Sequence, residues 1–194
     1  MQNTLVANIW PQVGTSWATK ALVVLLGSIA LTISAKLKVP FYPVPMTMQV
    51  FVVLALGLIL GFRLGVATVL LYLAEGAFSL PVFAGTPERG LGLAYMMGPT
   101  GGYLLGYLLA VAAVGWLAEW GWAKRLPEAV ALAFFGLLII YVPGLLWLGA
   151  VLGWDKPIFE YGFTPFILGD AVKVLVAALL VTGIWQWRGV KPSS

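Results

Sequence analysis

The sequence predicts an all-α integral membrane protein, a single domain of six transmembrane helices. Two observations carry that class. Of 194 residues, 61% are hydrophobic and 9% charged, with a mean hydropathy of +0.99. A soluble domain carries about 25% charged residues, so this chain cannot cover a water-facing surface. Second, the apolar residues fall into six runs, each able or nearly able to cross ~30 Å of hydrocarbon at ~1.5 Å per residue. Six such runs use ~120 residues and leave short connectors with no room for a second domain.

In chain order, the first run extends from about Trp17 to Ala35. The second, Met46 to Leu60, and the third, Leu64 to Leu80, are separated only by Gly61, Phe62 and Arg63. A hairpin is the preferred reading there, because one helix of ~35 apolar residues would overrun the bilayer. The fourth run is Ala94 to Trp116 and the fifth Ala129 to Leu152, where Pro143-Gly144 predicts a kink. The sixth is Thr164 to Trp187. Gly57, Gly61 and Gly65, like Gly98, Gly102 and Gly106, recur every fourth residue, a spacing that lets helices approach closely in lipid. The Gly98–Gly102 segment can also offer backbone N–H groups to a ligand, although packing is the favoured account.

The N-terminal residues lack a basic region ahead of a short apolar stretch, so no signal peptide is expected. With six spans both termini share a side. Lys20, Arg63, Lys124, Arg125, Arg188 and Lys191 fall on that side, and Lys36, Lys38, Arg89 and Lys156 on the other. The positive-inside rule therefore favours cytoplasmic termini. The outer loops are the longer ones, stiffened by prolines and rich in aromatics. They read either as a lid over a pocket or as plain connectors with interfacial aromatics.

Function classes are narrowed by absence. The sequence has no cysteine and no histidine, which removes disulfides, thiol nucleophiles and imidazole chemistry. It has no P-loop, and its scattered basic residues make no nucleic-acid footprint. Neither an enzyme nor a resident cofactor is expected. What remains are ionisable residues inside spans, which are costly and mark function by default. Asp170 and Lys173, three residues apart, share one face of the sixth helix about 9 Å below its outer end. They are either a silent ion pair or an acceptor and a cation for a polar solute. Glu75 in the third span reads as a second acceptor or as a protonated packing residue. Arg89, in the second outer loop, either meets an anionic ligand or lies in solvent. Gln49, near the start of the second span, can pair its amide with a polar ligand. Gly27, Ala30 and Ser34 form a small-residue stripe on the first helix, suited to docking a partner or a neighbouring helix.

Several segments resemble one family specifically. They are Val44-Pro-Met-Thr-Met-Gln49, Gly61-Phe-Arg-Leu-Gly65, Leu71 through Gly85 with Glu75 inside it, Gly98 through Gly106, and Gly169-Asp-Ala-Val-Lys173. Together they resemble BioY, the biotin-specific S component of energy-coupling-factor (ECF) transporters, over nearly the whole chain. The resemblance implies an S-component-like bundle with long outer loops that binds biotin near the extracytoplasmic face. It also implies a transmembrane coupling subunit and two cytoplasmic ATPases as partners, in a bacterial cell (inner) membrane. On that basis Asp170 and Glu75 suit the ureido N–H groups, and Lys173 or Arg89 the carboxylate or ureido carbonyl. Gln49 reaches the ureido group, while Phe41, Tyr42 and Tyr95 cover the rings. The stripe Gly27, Ala30 and Ser34 becomes the docking patch, with Ser34 departing from an all-alanine pattern. The alternative is a solitary, proton-coupled carrier of biotin or another small vitamin-like solute, with Glu75 as proton site.

Overall fold

Ser16 opens the first long helix. Its hydroxyl accepts from the Thr19 amide at 3.4 Å, satisfying one of the donors a helix start leaves orphaned. In the computed structural model, which describes residues 4–40, 42–85 and 91–189, that helix is α2, Trp17–Lys36. It follows a short α1, Leu5–Ile9, and a single 3-10 turn, Pro11–Gly14. Then come β1, Lys38–Val39, and β2, Met46–Thr47, an antiparallel pair with Lys38 opposite Thr47. The remaining helices are α3 (Gln49–Ala77), α4 (Leu93–Met96), α5 (Gly101–Leu117), α6 (Leu126–Leu152), α7 (Ile158–Gly162) and α8 (Ile167–Trp187). A π-helical turn, Ala118–Trp122, extends α5. Among the described residues, five helices are long and apolar enough to cross a membrane: α2, α3, α5 with its extension, α6 and α8.

The second and third runs share α3, and Gly61 divides them. With φ 75° and ψ −170° it leaves the helical region and turns the chain back on itself. Gln49 Nε2 lies 2.8 Å from the Tyr72 hydroxyl, whereas a straight helix would hold residues 23 apart ~35 Å away from each other. The two arms, Gln49–Leu60 and Phe62–Ala77, rise only ~18 and ~24 Å. Among the described residues the five long helices thus form six rods, with the two arms of α3 shorter than a full bilayer crossing.

Local chemistry explains where boundaries differ from expectation. The fourth run divides into α4 and α5 because Pro99 has no N–H and disfavours helix at its predecessor. Helix α6 begins three residues early, since Pro127 sits in its first turn, where the missing N–H costs nothing. It continues unbroken through Pro143. The glycine repeats serve packing. A Cβ on Gly102 or Gly106 would come within 2.3 to 2.7 Å of the Pro143 and Ile140 carbonyl oxygens of α6.

Helix α1 and the end of α8 meet at one end of the bundle, called the turn end, where Arg188 donates to the Asn8 carbonyl at 3.0 Å. Residues 37–40, 42–48, 78–85, 91–100 and 153–166 gather at the other, the loop end. At the turn end the Glu119 carboxylate accepts from Phe62 N at 3.1 Å. An anion is favoured at that helix start by the orphaned N–H groups. Any Cβ on Gly61 would stand 2.6 Å from both Glu119 Oε1 and Thr4 Cγ2. Gly61→Ala should therefore destabilise the protein by at least ~1–2 kcal/mol, from the left-handed backbone alone. Thermal unfolding of the detergent-solubilised variant measures it, and an unchanged midpoint would refute this account of the turn.

Candidate binding site

Asp170 lies in the first turn of α8, where the helix dipole favours a carboxylate, and Lys173 stands on the same face. Both are nearly buried, at 4% and 8% exposure. Lys173 Nζ donates to Asp170 Oδ1 at 2.7 Å and to the Thr47 carbonyl at 2.7 Å. From α6, the Tyr141 hydroxyl donates to Asp170 Oδ2 at 2.7 Å. Buried charges persist only when paired and hydrogen-bonded, and here each has more than one partner.

Thr47 carries the network into α3. Its hydroxyl donates to Gln49 Oε1 at 3.3 Å and accepts from Gln49 N. Gln49 Nε2 donates to the Tyr72 hydroxyl, which donates to the Val82 carbonyl at 3.2 Å. One hydrogen-bonded chain thus joins α6, α8, the first loop, both arms of α3 and the second loop.

Asp170, Lys173, Tyr141, Thr47, Gln49 and Tyr72 line a cleft at the loop end whose empty space, counted out into open solvent, is about 570 Å³. Phe83, Tyr95, Tyr103 and Phe166 also line it. Such a cavity, mostly apolar with a few convergent polar groups, suits a small solute with one polar face. Phe83 stacks on Tyr95, centroids 5.0 Å apart, and meets Tyr72 edge-on at 5.4 Å. Its ring lies where a side chain at Gly76 would be. Two lysines at the end of α2 hold this segment by its backbone. Lys36 Nζ donates to Phe83 O at 2.6 Å and Lys38 Nζ to Ala84 O.

The expected residues do not all converge. Asp170, Lys173, Gln49 and Tyr95 line the cavity. Glu75 does not: its half-buried carboxylate accepts from Ser28 on α2, one helical turn beyond Tyr72. Tyr42 is 82% exposed and away from the lining. Arg89 and Phe41 lie outside the described residues. Two of the three stripe residues on α2, Gly27 and Ser34, are buried within the chain. Gly27 abuts Thr68 of α3, and Ser34 is buried with its hydroxyl on the Leu31 carbonyl, leaving Ala30 only partly exposed. Sequence reasoning missed Thr47, Tyr72, Tyr103, Tyr107 and Tyr141. A signal existed for the tyrosines, because a hydroxyl in the middle of an apolar run needs an internal partner.

Comparison with known families settles the lineage. The model of the BioY family matches residues 4–189. The chain belongs to the BioY family. Among BioY relatives, the probable biotin transporter BioY of Pyrococcus horikoshii is 39% identical over 78% of this chain and 88% of its own length. The biotin transporter BioY of Thermotoga maritima is 38% identical over 77% and 86%. That of Rhodobacter capsulatus is 39% identical over 86% and 94%. The crystal structure of the S-component for biotin from an ECF-type ABC transporter superposes with a TM-score of 0.73. It covers 90% of this chain and 93% of that one at 22% identity, so it speaks for a shared S-component fold.

The two lysine anchors yield a prediction that needs no ligand. Replacing Lys36 and Lys38 by alanine should speed hydrogen–deuterium exchange across residues 78–85 about tenfold, the equivalent of ~1.4 kcal/mol. Unchanged exchange would show that the Phe83 ring stack holds the segment unaided.

Proposed function

We propose that this chain is the substrate-binding membrane subunit of a biotin uptake system, a transporter component and not an enzyme. The observation that carries the proposal is the buried Asp170–Lys173 pair lining the loop-end cavity of a BioY chain. The family membership and the names of its relatives support biotin as the solute. The cavity suits that molecule chemically. Biotin's fused rings carry two ureido N–H donors beside a carbonyl acceptor, and its tail ends in a carboxylate. Asp170 accepts from one ureido N–H, and Lys173, with two of its three protons already placed, gives the third to the ureido carbonyl. Phe83, Tyr95 and Phe166 enclose the rings, and Gln49 stands next to the ureido edge. Arg89 is the candidate for the tail carboxylate.

Uptake by such a subunit draws on partners. With no P-loop of its own, the chain works with a transmembrane coupling subunit and two cytoplasmic ATPases of an ECF module. The S-component fold supports this assignment. The excess of basic residues at the turn end supports cytoplasmic termini in a bacterial cell membrane.

Calorimetric titration of the purified chain with biotin, without partners, tests the proposal. Wild-type protein should bind tightly. Asp170→Asn and Lys173→Ala should each weaken binding by ~2–5 kcal/mol, since each leaves a buried partner unpaired. Folded wild-type protein that ignores biotin would overturn the function, and variants that bind normally would overturn the site.

A further inference from the structure

Asp170 is held by two donors from two helices, and the second of them has no place in the pairing read from sequence. A carboxylate has about four lone-pair sites. Lys173 takes one on Oδ1 and the Tyr141 hydroxyl one on Oδ2, both at 2.7 Å. One lone pair on each oxygen is left for a ligand. The terminal torsion of an aspartate is broad and roughly two-fold, so a single lysine contact does not fix the plane of the carboxylate. A second donor from α6, on the other oxygen, does.

The same bond sets the polarity of the wall. Tyr141 has one proton, and Asp170 receives it, so toward the cavity that hydroxyl can only accept. Tyr72 and Tyr103, which also line the cavity, likewise give their protons to carbonyls, those of Val82 and Gly162. The wall around Asp170 is therefore rich in acceptors. We propose that Tyr141 is the positioning residue of this site, orienting the Asp170 carboxylate so that a free lone pair is aimed at an N–H donor of the ligand. The proposal rests on the biotin reading for its ligand, since a cyclic urea presents such an N–H next to its carbonyl.

Tyr141→Phe isolates the hydroxyl. The ring contacts with Phe163 at 4.9 Å and Tyr103 at 6.4 Å do not involve it, so the fold should persist. The first measurement needs no ligand. The infrared difference between wild type and Asp170→Asn isolates the Asp170 carboxylate stretch, and Tyr141→Phe should shift that band. A band left in place overturns the proposal whatever the ligand is. The second measurement is calorimetry with biotin. Tyr141→Phe should lose about 10- to 100-fold in affinity, as expected for one hydrogen bond to a charged group. In an Asp170→Asn background it should cost little more, because the two residues act as one unit. Biotin methylated on one ureido nitrogen should be rejected less strongly by Tyr141→Phe than by wild type. Unchanged biotin affinity, or the same loss in both backgrounds, overturns the positioning role. A band shift in Tyr141→Phe, together with wild-type protein that fails to bind biotin, overturns the biotin reading alone and leaves Tyr141 as the orienting partner of Asp170.

Discussion

An ammonium and a carboxylate placed among apolar helices each cost several kcal/mol to desolvate, and the loop end is arranged to offset that cost. Lys173 cannot be satisfied by α8 alone. It reaches across to the Thr47 carbonyl, and this draws the first loop down onto the sixth rod. Thr47 in turn orients Gln49, and Gln49 orients Tyr72, whose proton ends on the second loop at Val82. The cavity is open space bounded by a polar chain in which every member already has a partner within the protein. Its shape follows from where those hydrogen bonds must go.

The two ends of the bundle solve different problems. At the turn end the chain reverses within one residue, and helices touch backbone to backbone, with Gly115 against Gly61 leaving no room for a side chain. Glu119 there closes a helix start and has a purely architectural part. At the loop end close glycine contacts persist, with Gly76 against Phe83 and Gly102 against Pro143, and tyrosine hydroxyls add a hydrogen-bonded layer. A rigid, glycine-sealed base beneath a hydrogen-bonded chamber lets the upper part hold a solute without loosening the lower part.

Much of this was legible in the sequence. Composition and apolar runs specify a helical membrane protein, and the three-residue spacing of Asp170 and Lys173 marks the pair as facing one way. Gly61 between two charged or bulky neighbours marks the reversal. Other features depend on tertiary rotation that no single helix reveals. Glu75 and Tyr72 are three apart, yet one meets Ser28 on α2 and the other faces the cavity. Gly27 reads from sequence as part of a surface stripe, yet Thr68 of α3 packs directly against it. Thr47 acts through its backbone carbonyl, which has no signature in residue type at all.

That dependence on backbone atoms has a consequence at the mouth of the cavity. Lys36 and Lys38 grip the main chain at residues 83 and 84, and so they hold any residue that stands there. The ring at position 83 forms the ceiling of the chamber, while its anchorage is independent of what that ring is. Ceiling and anchor are separable traits. The chamber can be reshaped for a larger or smaller solute by changing one side chain, and the loop that carries it stays where it is.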